Sequence, residues 1–116
     1  MKKVTVTRAE DGRRITEAKM AHSPWSRFWG LMGRRALPEG EALVIDPCSS
    51  IHTMFMRFAI DVVFLDKHNR VVKIAVAMPP FRAALARGCR RVIEMPAGSA
   101  ERAGVQVGDT LTIELT

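Results

Sequence analysis

Six short β-type segments separated by turn residues fill the chain from Ala42 onward: 42–45, 51–58, 61–66, 70–78, 91–94 and 110–115. They are rich in Val, Ile, Leu and Phe, and too brief for helices of several turns. Closely spaced strands of this kind are the pattern of an all-β sandwich or barrel. In the last segment Leu111, Ile113 and Leu115 alternate with Thr110, Thr112 and Glu114, so one face is expected against a core. Upstream, Val4 and Val6 alternate with Thr5 and Thr7, and residues 15–20 resume that character after an Asp11-Gly12 turn, which predicts a hairpin. Lys67-His68-Asn69 predicts a second hairpin turn, and Pro79-Pro80 ends the long strand.

One longer helix is predicted over 23–33. Ser23 is its N-cap, Pro24 its first residue and Gly33 its stop, with Trp25, Phe28, Trp29 and Met32 on one face. Arg34 and Arg35 follow where cations suit the negative end of the helix dipole. A one-turn helix is predicted at 99–104, with Ser99 as N-cap and Gly104 beyond the end. A doubly wound α/β fold needs a helix between successive strands, and only one candidate has that length. The expected fold is mainly β: a single-domain antiparallel β-barrel or sandwich over 1–116, with one or two short helices.

A chain of 116 residues has room for one domain, and 47% hydrophobic with 26% charged residues is the composition of a folded one. Eighteen basic residues against twelve acids give a formal charge of +6, a surface that attracts polyanions. The arginines are nevertheless spread in pairs, and two tryptophans with five phenylalanines offer few stacking platforms, which disfavours nucleic acid as a partner. Cys48 and Cys89 form no C-x-x-C pair and are expected to be reduced thiols. No secretory leader pattern opens the sequence, and its longest apolar stretches fall far short of the roughly 20 residues that span a bilayer. A soluble cytoplasmic protein without a membrane span, monomer or dimer, is expected.

Two groups of residues could carry chemistry. In an extended strand His52, Met54 and Met56 share a face, with Cys48 on the same parity. Thiolate, imidazole and thioether are soft donors that suit copper(I), and a mixed sulfur and nitrogen set also suits zinc. The plainer reading makes Met54 and Met56 core fillers and Cys48 a small buried hydrophobe. The second group centres on Asp61, a carboxylate beside an apolar run, where burial demands compensation. It could serve as acid or base, with Arg57 or Arg34 as counter-charge and Glu94 as a second acid, or accept backbone N–H bonds to order a corner. Gly98-Ser99 and Gly108-Asp109 lack the spacing of phosphate loops and read as turns.

Four stretches, taken in order, carry a family resemblance: Gly30-Leu31-Met32-Gly33-Arg34, the run from Ile51 to Asp66, Val92-Ile93-Glu94-Met95-Pro96-Ala97-Gly98, and Gly104-Val105-Gln106-Val107-Gly108-Asp109. Their G-L-M-x-R, M-x-x-x-I-D, E-x-P-A-G and G-x-x-x-G-D elements resemble the domain of unknown function 192 family. The resemblance implies a small, β-rich, single-domain prokaryotic protein and implies no particular activity. Many members have tryptophan-methionine-lysine-asparagine where this chain has Met54-Phe55-Met56-Arg57-Phe58, so from that segment only Met56 and Asp61 carry over.

Three function classes follow. The first is a binding or accessory module whose surface combines Arg34, His52, Met56, Asp61 and Glu94. The second is a soft-metal protein holding copper or zinc through Cys48, His52, Met54 and Met56, and the third a small hydrolytic enzyme using Asp61. The sequence itself names no cofactor and no partner.

Overall fold

In a computed structural model, which describes residues 2–21, 41–48, 50–52 and 58–116, the period-two patterns become strands. β1 (Lys2–Arg8) and β2 (Arg14–Ala21) form the expected hairpin, burying Val4, Val6, Thr16 and Ala18. β3 (Leu43–Ile45), β4 (Ser50–His52), β5 (Ile60–Leu65) and β6 (Val71–Met78) follow. After them come β7 (Ala83–Leu85), β8 (Arg91–Pro96), the short helix α1 (Ser99–Ala103) and β9 (Leu111–Leu115). The helix expected over 23–33 lies outside the described residues, as do Arg34, Met54, Met56 and Arg57, and His52 is described for its backbone alone.

Among the described residues the protein is mainly β. Seven strands make one sheet in the order β6-β5-β8-β3-β2-β1-β9, and β4 pairs with β7 in a separate ribbon. The expectation of a purely antiparallel sheet needs one correction: β2 and β3 run parallel, with Lys19 opposite Leu43 and Ala21 opposite Ile45. Residues 22–42 separate the two strands, a connection long enough to return the chain to the starting end, where a tight turn would have forced antiparallel pairing. The sheet is not closed into a barrel. Its edge strands meet at one end through an Arg70–Thr110 bridge, flanked by the Val71 N–H on the Asp109 carbonyl (2.8 Å) and the Leu111 N–H on the Asn69 carbonyl (2.9 Å).

β5 is buried at every position, the condition in which a strand reads as a continuous apolar run. Its alternation divides the core. Val63 and Leu65 join Val4, Val44, Ile93 and Met95 on one face, where Ala100 of α1 also packs. Ile60, Val62 and Phe64 join Leu43, Ile45 and Val92 on the other, where Ile51 of β4 and Ala84 of β7 pack. Each fully buried Val, Leu, Ile or Phe contributes roughly 1.5–3 kcal/mol relative to exposure.

Two local features differ from the sequence reading. β7 has no counterpart there, because Ala83 and Ala84 have little intrinsic preference for strand; pairing of Ala84 with Ile51 imposes it. Ser99 is not the N-cap of α1. Gly98 takes that place at φ 88°, no side chain of its own segment caps the helix, and Gly104 ends it at φ 72° as anticipated. The Asp66–Arg70 turn forms where expected: one Asp66 carboxylate oxygen accepts the His68 (2.8 Å) and Arg70 (2.9 Å) N–H groups, and Asn69 adopts φ 63°. These bonds, that from Arg70 foremost, hold the Asp66 carboxyl below its usual range.

Candidate functional site

Asp61 is only 1% exposed, and both of its carboxylate oxygens are used. Ile60 pairs with Met78 and Val62 with Ala75, so a single β5 residue, Asp61, faces two β6 residues, Val76 and Ala77, across a β-bulge. Ala77 is left-handed at φ 48°, a conformation that costs an L-residue roughly 1–2 kcal/mol. Its N–H donates to Asp61 Oδ1 at 2.8 Å, a charge-assisted bond of the size needed to offset that cost. Asp61 Oδ2 accepts the Ala100 N–H at 3.0 Å and so caps α1 from the sheet. Gly98 forms the turn into α1: its φ of 88° disfavours any other residue, and a Cβ there would also stand 2.7 Å from Arg102 Nη1. The I-D and P-A-G elements of the sequence thus meet in one hydrogen-bonded corner.

Glu94 lies on the adjacent strand but faces the other way. Asp61 is opposite Met95 and Val62 opposite Glu94, which puts Glu94 on the sheet face of Val62, Phe64 and Leu43, and Asp61 on that of Val63 and Met95. The two acids therefore do not share a cleft. Glu94 is 5% exposed, and no hydrogen bond or ion pair reaches it among the described residues. Burial alone raises its carboxyl to about 7, so near neutrality it exists both as an acid that can donate and as an anion that can accept.

The fold also joins two residues far apart in sequence. The Cys48 N–H donates to the Arg90 carbonyl at 2.7 Å, and the Cys89 thiol lies within donating distance of the Cys48 (3.3 Å) and Arg91 (3.1 Å) carbonyls. The Cys48 thiol donates to the Ser50 carbonyl at 3.0 Å. Neither cysteine is in a disulfide, and burial raises the Cys89 thiol above its usual range. The soft-donor set read from the sequence does not contain Cys89, since no local spacing links it to Cys48. Among the described residues no three His, Cys, Asp or Glu side chains gather as a metal site would require.

On the Asp61 side of the sheet, a cleft of about 270 Å³ is lined by Arg13, Arg14, Ser99 and Arg102, with Met95 and Glu41. Arg13 is held there by donating to the Arg102 carbonyl at 3.2 Å, and Arg14 pairs with Glu17 at 2.8 Å. Of the expected site residues whose side chains are described, Cys48, Asp61 and Glu94 do not line this cleft. Among the described residues no helix is long and apolar enough to cross a membrane.

Comparison with known proteins agrees with this architecture. Residues 4–113 match the model of the domain of unknown function 192 family, described as "Uncharacterized ACR". A UPF0127 protein of Pyrococcus furiosus is 34% identical over 113 residues, covering 93% of this chain and 94% of the relative. A solved structure of a protein of unknown function from Novosphingobium aromaticivorans is similar at a TM-score of 0.81 and 25% identity, over 95% of this chain and 83% of that one. A Sinorhizobium meliloti protein shares the fold at a TM-score of 0.82 and 24% identity, over 97% and 92% of the two chains.

Proposed function

We propose that this chain, which belongs to the domain of unknown function 192 family, acts as a small non-catalytic binding module with Glu94 as its recognition group. One observation carries the reading: Glu94 is a buried carboxyl with no described partner, at a position where an apolar residue would be less costly. A ligand offering a cation or a hydrogen-bonding group would supply the missing partner. Arg34, His52 and Met56 are the other residues proposed for that surface. Asp61 belongs to the same design as a strut, since both its oxygens already hold backbone N–H groups. This arrangement does not favour Asp61 as a hydrolytic acid or base. The reading takes the chain as one domain curled toward a barrel, supported by the contact between its edges at Arg70 and Thr110.

The test is native mass spectrometry of protein incubated with a prokaryotic small-molecule extract. A bound mass retained by wild type and lost in Glu94→Gln, with unchanged circular dichroism, is the expected result. Equal retention by both proteins, or none by either, would remove Glu94 from this role.

A second reading, a soft-metal site, gains support from the approach of Cys89 to Cys48, which adds a thiol to the set Cys48, His52, Met54 and Met56. Elemental analysis of protein purified without chelators decides it. Stoichiometric copper or zinc that disappears in Cys89→Ala and His52→Ala supports the site, and a metal-free protein ends it.

A further inference from the structure

Between Asp66 and Glu94 the chain has no acidic residue and carries two lysines and five arginines. Arg90 and Arg91 are turned onto the Asp46 carboxylate, at 3.2 and 3.5 Å. Arg82, one guanidinium nitrogen of which donates to the Phe81 carbonyl at 3.3 Å, and Arg87 are exposed at either end of β7. Beside them stand two bulky apolar side chains, Phe81 at 59% and Leu85 at 67% exposure. Ala84 packs inward on the core, so strand alternation turns Leu85 outward. The Lys73 ammonium fixes that position by donating to the Leu85 carbonyl at 2.9 Å. Phe81, after Pro79-Pro80, is held at φ 62°, an unfavourable conformation for an aromatic residue, and its ring is not paid for by burial.

We propose that the segment from Phe81 to Arg87 docks this protein on the surface of an anionic lipid bilayer. Charge complementarity selects the partner: guanidinium groups match lipid phosphates, while Phe81 and Leu85 enter the layer beneath the headgroups. The apolar side chains stand out singly, which suits a fluid surface better than the grooved contact an acidic peptide requires. Nucleic acid fits less well, because Phe81 is the single aromatic residue between Asp66 and Glu94 and successive bases need successive platforms. With two apolar anchors and a few cations, attachment should be reversible and salt-sensitive. This inference is independent of the role given to Glu94.

The test is co-sedimentation of the full chain with vesicles of phosphatidylcholine alone and of phosphatidylcholine mixed with phosphatidylglycerol. Two double variants accompany wild type: Arg82→Gln with Arg87→Gln, and Phe81→Asn with Leu85→Thr. Asparagine tolerates the left-handed conformation at position 81 and threonine suits a strand, so both variants should keep the wild-type circular dichroism. Wild type should pellet with the anionic vesicles only and be released by salt. The arginine variant should partition roughly twenty-five-fold less, at about fivefold for each of the two basic residues removed near such a surface. The apolar variant should also lose binding. Absence of pelleting, equal pelleting with neutral vesicles, or undiminished binding by the folded variants would overturn the proposal, as would binding to single-stranded DNA in place of vesicles.

Discussion

Asp61 and Glu94 sit one register step apart on neighbouring strands and point to opposite faces of the sheet. One is fully compensated by two backbone N–H groups, while the other is buried among apolar neighbours with no described partner. The same residue type in two settings therefore has two consequences for stability.

Glu94 should make the fold less stable as pH rises. Below about pH 4.5, its ordinary value, the carboxyl is protonated in folded and unfolded chains alike. Between there and about 7 only the unfolded chain ionises, so unfolding gains progressively, and above about 7 the loss levels off at on the order of 3 kcal/mol. Glu94→Gln should remove this component. Urea titrations of both proteins between acid and mildly alkaline pH should show their stability difference widening across that window; a constant difference would contradict the assignment.

Asp61→Asn should weaken folding itself. An amide offers one acceptor where the carboxylate offers two, so either the Ala77 or the Ala100 N–H loses its partner, at a cost of about 1–3 kcal/mol. Chemical denaturation measures this directly. An unchanged midpoint would mean that the corner does not depend on the second acceptor.

Gly98→Ala should cost roughly 1–2 kcal/mol, because a left-handed residue is required and Arg102 must move aside. Gly12, at φ 72° with nothing within 4 Å of where a Cβ would stand, provides the comparison for left-handed strain alone. The excess of Gly98→Ala over Gly12→Ala in thermal melts reports the crowding by Arg102.

Cys89 should alkylate more slowly than an unhindered thiol, since burial disfavours its thiolate. In a Cys48→Ala background, iodoacetamide labelling followed by mass spectrometry should show the rate still climbing at pH values where a free thiol has levelled off. A profile matching a free thiol would place Cys89 in a more polar setting.

Much of this structure is legible in local patterns. Alternation announces the first hairpin and β9, the short apolar run at 61–66 announces a strand, and Lys67-His68-Asn69 announces a turn. What is hidden depends on register between distant segments. The facing of Asp61 and Glu94 follows from the alignment of β5 with β8, which neither strand specifies alone. The approach of Cys89 to Cys48 and the strand state of Ala83 and Ala84 likewise come from partners far along the chain. Ser99 looks like a helix cap because Ser is a good one, yet a carboxylate from across the sheet supplies the acceptor.

The single carboxylate of Asp61 ties the bulge at the end of β6 to the start of α1. Neither amide can meet solvent without disturbing the group that holds the other. Hydrogen exchange at Ala77 and Ala100 should consequently share one opening event, so that an edge strand and a one-turn helix, each too slight to persist alone, behave as a single cooperative unit.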